Sequence, residues 1–311
     1  MAAVLLLPRL ALAHAKGPDD DLPRDLDGLW RSWELDPATV IGLVVMGVMY
    51  TVGLWRMWRT AGIGHGIKRW EAAGFLAGWV VLTLALISPL HPLGEVLFSA
   101  HMVQHELLML VAAPLLVLGR PIVVWLRALP AASANGLGRF SNTRGWIFLW
   151  GLIAAPFSAW LIHAIVLWGW HAPALFQATL TSNWVHAAQH ISFLGAAILF
   201  WWAVIHGHAG VKNDGGAVLY LFTTAIHSGL LGALLTFSRT VWYPAYDDTA
   251  DWGLTGLEDQ QLGGLVMWVP ACSVYIIAGL YFVARWLRSS DARLANTSFA
   301  ATPLIEEGGA S

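Results

Sequence analysis

The 311-residue chain has a single cysteine, Cys272. One cysteine excludes an intramolecular disulfide and any CxxC metal motif. Charge is scarce too: Asp, Glu, Lys and Arg make up 12% of the residues, about half the usual share in soluble domains. The net charge is −2 and the cations form no stripe, so nothing marks a nucleic-acid partner. There is no glycine-rich phosphate loop, no internal repeat and no low-complexity tract. No stretch of seven or more residues alternates cleanly, which leaves a membrane β-barrel without support.

What is present is apolar. Hydrophobic residues make up 57% of the chain, with 19 tryptophans among them. This is the composition of a polytopic membrane protein in contact with lipid, with tryptophans for its interfacial belts. A bilayer span takes roughly 20 mainly apolar residues. Seven windows meet that length: Ala38–Met57, Glu71–Leu90, Leu97–Gly119, Gly145–Trp168, Trp184–His206, Gly215–Ser238 and an overlong Gln260–Trp286. The expected fold is therefore all-α, a seven-transmembrane-helix bundle over residues 38–288. A polar segment, 16–37, precedes it and a tail, 289–311, follows. Residues 1–15, MAAVLLLPRLALAHA, read as a candidate leader, with Ala11-Leu12-Ala13 resembling a cleavage site.

The basic residues orient the bundle. Twelve of the 17 lie in the loops after the first, third and fifth windows, at the far end of the last window and in the tail, among them Arg56, Arg59, Arg120, Arg127, Lys212 and Arg285. The positive-inside rule makes that side cytoplasmic and puts the N-terminus outside and the C-terminus in the cytoplasm. The loop Arg239–Asp259 is then outside, and acidic.

In this frame seven of the 12 histidines gather near the outer side: His91, His101, His105, His163, His171, His186 and His190. They come from four helices running in alternating directions. His101 and His105 fall roughly 6 and 12 Å below the outer end of the third helix, at about 1.5 Å per residue. Two pairs, His101/His105 and His186/His190, share HxxxH spacing, which puts each pair on one helical face. His101, Met102, His105, Glu106 and Met109 cover about 140° of the third helix at about 100° per residue. The rest of that helix is apolar and expected to meet lipid. Ionisable groups inside a membrane are costly and mark function. Imidazole suits Cu, Zn and Fe, and thioether selects Cu(I). Copper is therefore the expected ligand, held by His101, His105, His186 and His190 with Met102, His171 and His163.

The other polar residues admit plainer readings. Glu106 orients an imidazole or ends a proton path. Met109 fills core. His91 lines the outer approach. Asp259, with Gln260 and Gln261, caps the last helix or stands near the metal. Met267 is a further candidate ligand, Cys272 is packing, and His227 falls in the middle of the sixth helix without an assigned role.

The stretch SPLHPLGEVLFSAHMVQHELLMLVAAPLLVLGRP closely resembles the signature of the CtaG-type, caa3-type, cytochrome c oxidase assembly proteins. HAPALFQATLTSNWVHAAQHISFLGAAILFWW and EDQQLGGLVMWVPA are similar to two further blocks of that family. The resemblance covers residues 38–288 in order. It implies a non-enzymatic protein of the bacterial inner membrane that matures a haem–copper oxidase by inserting copper into the catalytic subunit. With the site on the outer side, a periplasmic copper carrier is the expected donor.

Two alternatives stay open. Histidines on facing helices also hold haem, which gives a membrane b-type cytochrome. A metal-free scaffold for oxidase assembly needs no site. A retinal protein is excluded, since no lysine lies inside the seven windows. An HExxH hydrolase is disfavoured, since Met109 stands where the second histidine belongs.

Overall fold

The computed structural model describes residues 25–206 and 214–300. The candidate leader with His14, residues 16–24, His208, Lys212 and residues 301–311 lie outside the described residues. All regular structure among the described residues is helical. In chain order the helices are α1 (Leu26–Arg31), α2 (Pro37–Ala61), α3 (Arg69–Ile87), α4 (Leu90–Val96) and α5 (Phe98–Leu118). Then come α6 (Pro121–Ala128), α7 (Ala131–Ser141), α8 (Arg144–Ile153), α9 (Pro156–Trp170) and α10 (Pro173–Thr181). The last three are α11 (Asn183–His206), α12 (Asp214–Thr236) and α13 (Gly256–Ala300).

Six of these are long and apolar enough to cross a membrane: α2, α3, α5, α11, α12 and the Gly256–Arg288 part of α13. The expected fourth span is two helices, α8 and α9, bent by 60°. The cause is Pro156. A residue before proline is pushed out of the helical region, and Ala155 is extended at φ −61°, ψ 138°. The seven-helix count thus holds only if this bent pair is one span. Segment 121–141, expected as loop, forms α6 and α7. Residues 289–300, expected as tail, continue α13.

Local chemistry sets the helix starts. The Asp36 carboxylate accepts from Thr39 N at 2.8 Å, and Pro37 takes the first turn of α2, where no N–H is needed. Glu71 accepts from Lys68 N at 2.7 Å to begin α3. Thr255 and Glu258 form a reciprocal capping box for α13. The helices α12 and α13 touch backbone to backbone: a Cβ on Gly264 would lie 2.6 Å from Thr236 N. Small residues permit this close approach, the usual means of helix association in membranes.

The α5 helix is the hub. It packs against α3, α4, α11 and α13. Leu108, Leu110, Ala112, Ala113, Leu116 and Val117 are all buried, so the apolar arc expected to face lipid meets protein instead. Its turn at Leu107–Ala112 is widened into π-helix. Pro114 follows; it has no N–H for the Leu110 carbonyl and its ring crowds that turn, and a wide turn relieves the clash.

Candidate functional site

Five histidines converge at one end of the bundle. α4 carries His91, α5 carries His101 and His105, and α11 carries His186 and His190. The HxxxH spacing does what it promised: His101 and His105 rings are 4.4 Å apart, and His186 and His190 rings 4.3 Å. The two helices then face each other, with His101 to His186 at 5.2 Å and His105 to His190 at 5.5 Å. His91 closes the group by stacking on His186 at 5.1 Å. Two triads, His91/His186/His190 and His101/His105/His190, each offer nitrogens that all lie within 4.8 Å of one another. His190 belongs to both.

Four of these imidazoles are buried and His91 is partly so, and several nitrogens have no hydrogen-bond partner. Both nitrogens of His105, and Nε2 of His186 and His190, have no hydrogen-bond partner. Buried polar atoms are normally satisfied, and these four nitrogens sit in a group that also has metal-ligand spacing.

The neighbours fix ring orientation. The Gly94 carbonyl lies 3.2 Å from His101 Nδ1. A carbonyl only accepts, so this contact is a hydrogen bond when the ring proton is on Nδ1. Tyr246 donates to the same carbonyl at 3.0 Å. The amide oxygen Oε1 of Gln189, also an acceptor, lies 3.2 Å from His101 Nε2 and competes for the ring proton. Gln104 donates from Nε2 to His91 Nδ1 at 2.8 Å and to the Ala85 carbonyl at 2.7 Å. Gln104, Gln189 and Tyr246 were missed in the sequence. A signal was there for the amides: each lies three residues after the first histidine of its pair, on the same helical face.

His171 sits at the edge. Its ring is 6.5 Å from that of His105. Nδ1 is 2.6 Å from the Leu167 carbonyl, and Nε2 is 3.5 Å from the sulfur of Met102. Burial holds its pKa down at about 4. Burial also lowers His91, against the pull of Glu34 and Asp36. Glu34 stands 3.4 Å from His91 Nε2. With Glu95 these two form a third group of ligand atoms at the rim.

Asp259 does cap a helix, but not its own. It reaches across from α13 and accepts from Phe98 N at 2.6 Å, Ser99 N at 3.1 Å and Ser99 Oγ at 2.5 Å. This fixes the start of α5, and so His101 one turn later.

Other candidates stand elsewhere. His163 is not with the five; its ring faces His227 at 5.8 Å. Its distance follows from α9, along which eight residues separate it from His171, about 12 Å of helix. Glu106 orients no imidazole among the described contacts. Its buried Oε2 has no hydrogen-bond partner. Met109 and Met267 are buried in the apolar core.

Comparison with known proteins agrees with this architecture. The sequence model described as cytochrome c oxidase caa3 assembly factor (Caa3_CtaG) matches residues 48–289. Uncharacterized proteins of Mycobacterium bovis and Mycobacterium tuberculosis are each 28% identical over 312 residues, 94% of this chain and 46% of theirs. An uncharacterized protein of Mycobacterium leprae is 28% identical over 286 residues, 88% of this chain and 42% of its own. The chain thus spans less than half the length of these relatives. No solved structure matches it.

Proposed function

The chain belongs to the cytochrome c oxidase caa3 assembly factor family, and from that premise we propose that it binds copper at the five-histidine cluster and delivers it to the catalytic subunit of a haem–copper oxidase. It does so without catalysing a reaction, as a multi-pass protein of the bacterial inner membrane with the cluster towards the outer side. One observation carries the reading: two triads of imidazoles, joined at His190, contain four buried nitrogens with no protein partner.

The chemistry favours Cu(I). All five first-rank donors are neutral imidazoles, and Met102 adds a thioether beside His171. Soft, uncharged donors suit a soft monovalent ion, and the complex carries only one net charge into a medium of low dielectric. The arrangement also suggests a route. Glu34 and Glu95 at the rim attract a cation to His91, which belongs to the first triad, and His190 passes it to His101 and His105 by ligand exchange. A periplasmic copper carrier would deliver at the rim, and the oxidase subunit would receive from the same end. Imidazole rings whose centres lie 4.3–5.2 Å apart suit a single ion better than the flat macrocycle of a b-type cytochrome.

The experiment is an anaerobic Cu(I) competition titration of the purified protein in detergent, beside His101→Ala/His105→Ala, with the visible spectrum recorded first. Stoichiometric copper is expected, with at least one equivalent fewer in the double variant. A Soret band would instead make it a haem protein. Neither copper nor haem would leave a metal-free scaffold.

A further inference from the structure

A second group of unpartnered imidazoles lies apart from the first. His163 of α9 is 1% exposed, and its Nδ1 has no hydrogen-bond partner. His227 of α12 is half-buried, and neither of its ring nitrogens has a partner. The two rings face each other at 5.8 Å with planes at 67°. Phe200 packs on His163 at 4.9 Å and Trp160 stands edge-on to His227 at 5.4 Å. Phe193 contacts His105 at 4.5 Å, seven residues before Phe200 on the same face of α11. The two phenylalanines separate this pair from the five-histidine cluster.

Three imidazole nitrogens without partners inside an apolar bundle are costly. A cation held between the rings would satisfy one nitrogen of each. A metal–nitrogen bond is about 2 Å, which places the two nitrogens about 4 Å apart and ring centres about 6 Å apart in a linear complex. The observed spacing is close to that. Two neutral donors with no carboxylate between them suit a monovalent soft ion, since a divalent one would want more ligands and more charge. We propose that His163 and His227 form a second, two-coordinate Cu(I) site, deeper in the bundle than the first. Each imidazole gives one lone pair and keeps its proton on the other nitrogen, so binding moves no proton. This inference deepens the copper reading, on which it rests.

The test is Cu(I) stoichiometry under anaerobic competition on the full chain in detergent, with X-ray absorption on the loaded protein. The variants are His163→Ala/His227→Ala, His227→Met and His101→Ala/His105→Ala. Wild type is expected to exceed the His163→Ala/His227→Ala protein by one equivalent. His227→Met keeps a soft donor, so it should keep that equivalent and add sulfur to its spectrum. The His101→Ala/His105→Ala protein should retain a copper bound by two nitrogens. Unchanged stoichiometry in His163→Ala/His227→Ala, or no gain of sulfur scattering over wild type in His227→Met, overturns the second site. If copper is then lost only in His101→Ala/His105→Ala, the first site stands alone. If wild type binds no copper, both fall.

Discussion

The sulfur of Met102 faces Nε2 of His171 at 3.5 Å, and no hydrogen is available to bridge them. The His171 proton is committed to Nδ1, which donates to the Leu167 carbonyl at 2.6 Å. Two lone pairs therefore look at each other inside a buried site. An ion about 2 Å from nitrogen and about 2.3 Å from sulfur would fit between them at an open angle. Met102→Leu conserves volume and should leave the fold intact. It is expected to weaken Cu(I) by at least about tenfold while leaving Zn(II) unchanged, since only the soft ion uses the thioether. Parallel Cu(I) and Zn(II) titrations check this, and an equal loss for both metals would remove Met102 from the ligand set.

His105 separates ligation from folding. Both of its nitrogens lack partners, so replacing it strands no other polar group. His105→Leu should change the unfolding midpoint little, a cost within about 1.5 kcal/mol for a near-isosteric change, and still abolish copper binding at the His101/His105/His190 triad. Circular dichroism melts and copper content of the same preparation decide it. A large drop in midpoint with copper retained would make His105 a packing residue.

Asp259 is the opposite case. Its carboxylate holds two backbone N–H groups and one hydroxyl at the start of α5. Asp259→Ala leaves them buried and unpaired, at about 1–3 kcal/mol for each stranded group. The start of α5 should fray and His101 should lose its register. Lower thermal stability together with weaker copper binding is expected. Hydrogen exchange should localise the loss to residues 98–101; protection there equal to wild type would contradict the cap.

Much of this was legible in the sequence because periodicity is local. HxxxH placed each histidine pair on one face, and six of the seven hydropathy windows match long apolar helices within a few residues. The rest depended on distances that no local pattern encodes. His91 read as loop, yet a short helix carries it onto His186. His163 read as part of the cluster by its depth, yet α9 turns it towards His227. The α5 helix read as half lipid-facing because one face was apolar, but a hub helix has a protein neighbour on every side. Pro156 was visible, and the extended residue before it is what breaks the fourth window.

The buried histidines also predict how the metal-free protein responds to acid. His171 titrates at about 4 when folded against an ordinary 6.5, so the unfolded chain takes up its proton first. Stability from this residue is then complete above pH 6.5 and is lost as pH falls from 6.5 towards 4, on the order of 3 kcal/mol. His91 is shifted in the same direction and should add to the slope. The unfolding midpoint of the metal-free protein in detergent should therefore fall between pH 7.5 and pH 5. His171→Gln removes one titrating ring, so its midpoint should fall less over the same interval. A wild-type midpoint that rose on acidification would mean that the folded protein binds the extra proton. The ring would then be charged in its pocket, and its Nε2 would be no lone pair for a metal.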